Sequence, residues 1–132
     1  MAILEETLFA YIAAWSESDE ERRRALLEQV WEENGTYSDP TVEAQGREAL
    51  VQHIGAFLRR YPGYRTLLTS GVSRHHSYFR FCWVVVKPDG GRVFEGVDFG
   101  ETGFQGRLHR ITGFFAALSP LPASWPASLV QR

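Results

Sequence analysis

Cysteine is nearly missing from this 132-residue chain, where Cys82 stands alone. One thiol excludes an internal disulfide and a multi-cysteine zinc site, and it suits a reducing compartment. Excess positive charge is missing as well: 14 Lys and Arg face 16 Asp and Glu, for a formal net charge of -2. That balance leaves no electrostatic footprint for nucleic acid, so none is expected as a partner. No apolar run approaches the ~20 residues of a membrane-spanning helix. The start, MAILEETLFAYIAAW, carries Glu5 and Glu6 and no basic segment, unlike a secretory signal. A cytoplasmic protein without membrane attachment is therefore expected. Repeats and low-complexity tracts are lacking too. Aromatic residues, in contrast, are plentiful at 14%, and some of those rings are candidates for the wall of a cavity. A mass of 15.0 kDa predicts a single domain.

Apolar residues recur at helical spacing in three places. Leu4, Leu8, Ile12 and Trp15 predict a first helix that stops at the polar run from Ser16 to Asp19. Ser18 and Glu21 form a capping box for a second, with an apolar stripe of Leu26, Leu27, Val30 and Trp31 and a solvated charged face from Glu20 to Arg24. Gly46 opens a third through Leu50, Ile54, Phe57 and Leu58, ended by Tyr61-Pro62-Gly63. Between the second and third lies GTYSDPTVEAQG, where a short extended piece runs into Asp39-Pro40. Proline biases Asp39 away from helix, so the chain turns there and presents a carboxylate. Asp39 is either an Asx-type turn residue or a catalytic group.

From Tyr64 onward the period changes to two. Arg65 to Arg74, His76 to Lys87, Arg92 to Thr102 and Leu108 to Leu118 predict strands, with Asp89-Gly90-Gly91 as a hairpin turn. Helices followed by a meander predict an α+β fold, with three N-terminal helices on one face of a curved antiparallel sheet. Gly96, Gly100 and Gly113 either bend that sheet or leave room for a ligand. Residues 1–118 form the domain, and the Pro-rich residues 119–132 form a tail from which Trp125 is able to dock back. His75, His76 and His109 raise a metal site, but adjacent strand residues point to opposite faces, so no metal is expected. Arg74, Arg80, Arg107 and Arg110 fit an outward sheet face paired with Glu95 and Glu101, a surface for a homodimer.

The order of these pieces, YIAAW, TYSDP, GREAL, GVDF and GRLHRITGFF, resembles the nuclear-transport-factor-two-like superfamily over Leu8 to Leu118, specifically its SnoaL-like polyketide cyclase and ketosteroid isomerase branch. The resemblance implies a cone-shaped barrel with the helices on the concave face. It also places the isomerases' helix-one tyrosine at Tyr11, their general-base aspartate at Asp39 and their neutral, hydrogen-bond-donating aspartate at Asp98. The pattern departs at His53, where those isomerases carry a pocket phenylalanine, and at Ile54, where they carry a tyrosine.

Chemically, the candidates fit a cavity with apolar walls and a few polar groups, lined by Trp15, Trp31, Tyr37, Phe57, Phe81, Trp83 and Phe115. Alternation puts Asp98 on one strand face with Phe94, Gly96 and Gly100, where ionisation is disfavoured and its pKa should rise. Asp39 would then remove a proton alpha to a carbonyl while Asp98 and Tyr11 stabilise the enolate. His53 is a second base, a proton carrier or a surface residue. Each role has a plain rival: Tyr11 as core, Asp98 as a hydrogen-bond acceptor. The expectation is a cofactor-independent isomerase, cyclase or dehydratase acting on a small apolar carbonyl compound, or else a non-catalytic ligand-binding or scaffold module of the same fold.

Overall fold

The computed structural model describes residues 3–132. Those residues form three α-helices and seven strands in the order α1 (Leu4–Ala14), α2 (Glu20–Val30), β1 (Trp31–Asp39), β2 (Val42–Gln45), α3 (Arg47–Arg60), β3 (Arg65–Leu68), β4 (Ser73–His75), β5 (Tyr78–Val86), β6 (Arg92–Thr102) and β7 (Leu108–Phe115). The fold is α+β. The sheet runs β2-β1-β7-β6-β5-β3, with β4 also on β5, and it does not close. It is mixed rather than antiparallel throughout, because β1 lies parallel to β7 while every other pair is antiparallel. A parallel pair needs a long crossover, and here that crossover is most of the molecule, from α3 to β6.

Helix positions follow the apolar stripes. Leu8, Leu27, Leu50 and Ile54 are fully buried, each contributing about 1.5–3 kcal/mol of burial free energy between helices and sheet. Gly46 holds φ +90°, a conformation that side chains resist, and turns the hairpin β1–β2 into α3. The cap of α2 is one residue later than the capping box predicts: Asp19 accepts the Arg22 N–H at 2.9 Å. Within the stretch read as a solvated charged face, Arg23 is 1% exposed. Its Nε donates to the Val51 carbonyl at 3.0 Å and its Nη1 to the Glu17 carbonyl at 2.8 Å, so this cation clips the α1–α2 turn to α3.

Several local expectations are corrected. Trp31 opens β1 instead of ending a helical stripe, and two strands, β1 and β2, precede the third helix. The single strand expected over Arg65 to Arg74 is broken at Ser70, whose hydroxyl takes the Cys82 N–H at 2.7 Å. His76 lies in a turn at φ +54°, not in a strand, which brings its Nδ1 to 3.0 Å from that of His75. Arg74 stands opposite inward-facing Phe79 and reaches Glu5 at 3.8 Å, on the helix side and not the outer face. Glu95 pairs with Arg92 at 3.5 Å, while Glu101 lies across from Arg110. Trp125 does not dock: it is 53% exposed. Among the described residues no helix is long and apolar enough to cross a membrane.

Candidate functional site

Cross-strand rows on the inner face of the sheet build the site. In the innermost row, Phe81 pairs with Asp98 and Asp98 with Gly113, and Asp39 follows on the far side of Gly113. The next row is Trp83, Gly96 and Phe115, and the one after it Thr66, Val85 and Phe94. The strand glycines make room for neighbouring side chains: the Trp83 ring occupies the space over Gly96, the Phe79 ring that over Gly100, and the Asp98 carboxylate that beside Gly113. Helix α3 lays His53, Phe57 and Arg60 along the opposite wall at i, i+4 and i+7, a single helical face, and the cap residue Tyr61 that ends it adds its ring. Helix α1 adds Tyr11, Ile12 and Trp15. Together they line a cavity of about 380 Å³, open to solvent on one side, with mostly apolar walls.

Four polar groups named from the sequence, Tyr11, Asp39, His53 and Asp98, face this one cavity. Asp39 ends β1, and its side chain is 5% exposed. Tyr37 Oη donates to its Oδ2 at 2.6 Å, and the Thr41 N–H and hydroxyl donate to its Oδ1 at 2.7 and 2.6 Å. An anionic carboxylate can accept all three bonds. His53 Nε2 stands 3.9 Å from Asp39 Oδ2, too far for a direct hydrogen bond. Burial pushes the imidazole pKa down, against the pull of the Asp39 charge, so His53 is uncharged at neutral pH.

Asp98 lies 5% exposed in mid-strand, and among the described residues only its Oδ1 takes a hydrogen bond, from Trp83 Nε1 at 2.9 Å. Burial raises its pKa to about 7, Trp83 opposes the rise and the charge of Asp39 adds to it. Tyr11 is fully buried and stacks on Trp31 with ring centroids 5.6 Å apart. Its hydroxyl has no hydrogen-bond partner among the described residues. Burial, and then the Asp98 charge, hold that phenol well above the usual tyrosine pKa against an opposing pull from the Trp15 side chain, which lies outside hydrogen-bond geometry, so it remains a donor. Burial likewise keeps Tyr37 protonated.

Of the seven rings expected to line the cavity, Trp15, Tyr37, Phe57, Trp83 and Phe115 do so. Two do not. Trp31 is wholly buried behind Tyr11, and Phe81 stacks on Phe79 in the core at 6.2 Å. The lining also includes Thr41, Arg60, Tyr61, Thr66 and Phe94. Arg60 and Tyr61 were recoverable by extending the α3 periodicity by two turns from His53. Thr66 carried no signal, since its inward direction depends on where the strand breaks. Among the described residues no group of three or more His, Cys, Asp or Glu is placed to hold a metal ion. His109 instead pairs with Glu32 at 2.6 Å.

Comparison with solved structures defines the family. A SnoaL-like family protein from Agrobacterium tumefaciens, described as an isomerase candidate, superposes with a TM-score of 0.80 at 36% identity, over 85% of this chain and 96% of that one. The chain belongs to the SnoaL-like family. An NTF2-like protein of unknown function from Exiguobacterium shares the fold, with a TM-score of 0.68 at 18% identity over 85% of this chain and 99% of its own. So does a SnoaL-like polyketide cyclase candidate from Jannaschia, with a TM-score of 0.67 at 11% identity over 85% and 84%. No protein-family model and no curated protein matches the chain.

Proposed function

We propose that the protein is a cofactor-independent enzyme that moves a proton alpha to the carbonyl of a small, mostly apolar compound, as an isomerase, cyclase or dehydratase does. One observation carries this reading: Asp39, Asp98 and Tyr11 meet in one apolar cavity, and the Tyr11 hydroxyl and one Asp98 oxygen have no hydrogen-bond partner among the described residues. An unpaired buried hydroxyl costs about 1–3 kcal/mol, which a ligand oxygen would recover. In the proposed reaction the substrate carbonyl accepts hydrogen bonds from protonated Asp98 and from Tyr11. Asp39 takes the alpha proton, the electron pair of the C–H bond becomes the double bond of an enolate, and the negative charge settles on the oxygen facing the two donors. Asp39 then returns the proton to a different carbon, or the enolate closes on or expels a neighbouring group. Uncharged His53 beside Asp39 is suited to relaying that proton.

The test is alpha-proton exchange with solvent deuterium, followed by NMR on small cyclic ketones and polycyclic phenols chosen by thermal shift. Asp39→Asn should abolish exchange and retain binding. Exchange that survives in Asp39→Asn removes the base from the mechanism. Binding without exchange in the wild type would favour the second reading, a non-catalytic ligand carrier, which has its own support in the Thr41 N–H bond to Asp39, since that bond makes Asp39 an Asx-turn residue.

We also propose that the outer sheet face joins two copies of the chain. Tyr78, Phe99 and Phe114 are 52%, 42% and 56% exposed there, and the last two rings meet edge to face at 6.0 Å. A monomeric mass by light scattering at micromolar concentration overturns this.

A further inference from the structure

The cavity is polar at both ends, and the two ends differ in sign. At one end stand Asp39, Asp98 and His53. At the other, α3 carries Arg60 two helical turns beyond His53, a rise of roughly 10 Å. The sheet agrees, since Phe94 on the same inner face is four residues from Asp98, roughly 14 Å along the strand, and Tyr61 packs on Phe94 at 5.5 Å. Arg60 has no carboxylate within 4.0 Å among the described residues. Its Nε donates to Tyr61 Oη at 3.2 Å and its guanidinium lies 5.6 Å from the Tyr61 ring centroid. Arg60 is solvent-exposed where it lines the cavity, and neither terminal nitrogen has an acceptor among the described residues. An independent observation points the same way. Thr66, in the Phe94 row, is 8% exposed, lines the cavity and has a hydroxyl with no partner among the described residues.

We propose that the substrate is an elongated acid: a ketone or enol at the Asp98 and Tyr11 end, an apolar body between the aromatic walls, and a carboxylate at the Arg60 and Thr66 end. A planar guanidinium with a free fork matches a carboxylate, and a threonine hydroxyl donates to one. This rests on the cavity being the substrate site proposed above, and it names the substrate class.

The probes are an acetylnaphthoic acid, with ketone and carboxylate at opposite ends of the ring system, and its methyl ester. Their affinities are measured by calorimetry on the full chain at low ionic strength. The acid should bind about tenfold tighter than the ester. Arg60→Gln should bring the two within about twofold by weakening the acid alone, and Arg59→Gln should change neither. Thr66→Val should weaken the acid by about threefold or more. Equal binding of acid and ester, or a preference for the acid that persists in Arg60→Gln, overturns the proposal. Binding of neither probe overturns it together with the cavity assignment. Because binding is read and not turnover, loss of the catalytic reading, seen as no exchange in the wild type, leaves an acid preference intact and is told apart from this failure.

Discussion

Asp39 and Asp98 flank Gly113, and a methyl group added at Gly113 would stand 2.8 Å from Asp98 Oδ1 and 3.6 Å from Asp39 Cβ. The strand between the two acids thus has space only because it lacks a side chain there. Gly113→Ala should push the Asp98 carboxyl off the Trp83 N–H and cost about 1–3 kcal/mol in denaturant unfolding, with turnover falling more than stability does. Wild-type turnover in Gly113→Ala would separate the Asp98 position from the chemistry. Gly96→Ala should be worse, since the new methyl meets the Phe114 carbonyl as well as the Trp83 ring, and a backbone oxygen cannot swing away.

Burial of Asp98 has a consequence for stability. Its pKa is raised in the fold from an ordinary 3.8 to about 7, so between those values the native state holds a proton that the unfolded chain has lost. Its contribution is fully present below pH 4 and is lost as pH rises through about 7, a total of about 4 kcal/mol. Asp98→Asn keeps an oxygen for Trp83 and removes the titration. Unfolding curves should show wild type and variant converging at low pH and the variant more stable above pH 7. A variant that loses stability at pH 8 contradicts this.

Trp83→Phe tests the same carboxyl from its other side. The indole N–H lowers the Asp98 pKa, so its loss should raise that pKa further. Asp98 donates only when protonated, and activity should therefore fall as pH rises through its pKa. The alkaline limb of the rate profile should lie at higher pH in Trp83→Phe than in wild type. A limb that does not move would assign it to another group.

Arg23 supports α3 from behind the cavity wall. Gly55→Ala would place its methyl 2.6 Å from Arg23 Nη2, and moving the buried guanidinium aside would break its bonds to the Val51 and Glu17 carbonyls. Arg23→Met leaves the Val51 and Glu17 carbonyls without this donor and removes a buried charge whose hydrogen-bond partners among the described residues are carbonyls. Either change should lower unfolding free energy by about 1–3 kcal/mol, read from urea melts. Arg22→Met, at an exposed neighbour, should change it little.

The sequence was informative where local rules hold and silent where position depends on distant pairing. The Asp-Pro junction announced a carboxylate at a turn, and period-two alternation placed Asp98 among Phe94, Gly96 and Gly100 on an inward face. The boundaries of β6 were legible because turn glycines bracket it. Trp31 misled because a helical stripe and the first residue of a strand look alike at a junction. Phe81 misled because alternation gives a face but not a depth: it shares the Asp98 row yet lies behind it, stacked on Phe79. The parallel pairing of β1 with β7 has no local signature, and neither does the burial of Arg23, whose partners are carbonyls up to 28 residues away. The same holds for Thr66, whose inward direction is set by its register with Val85.

Tyr11→Phe separates catalysis from folding most cleanly. The ring is fully buried against Trp31, and phenylalanine keeps that stack. The hydroxyl it removes has no hydrogen-bond partner among the described residues, so its loss relieves a buried unpaired group. Unfolding free energy should be unchanged or should rise by about 1 kcal/mol. If the hydroxyl donates to a developing enolate, turnover should nevertheless fall by about 10²-fold or more, with KM changing far less than kcat. A variant both destabilised and fully active would mean that the hydroxyl is bonded inside the protein, and Tyr11 would then be a core residue only.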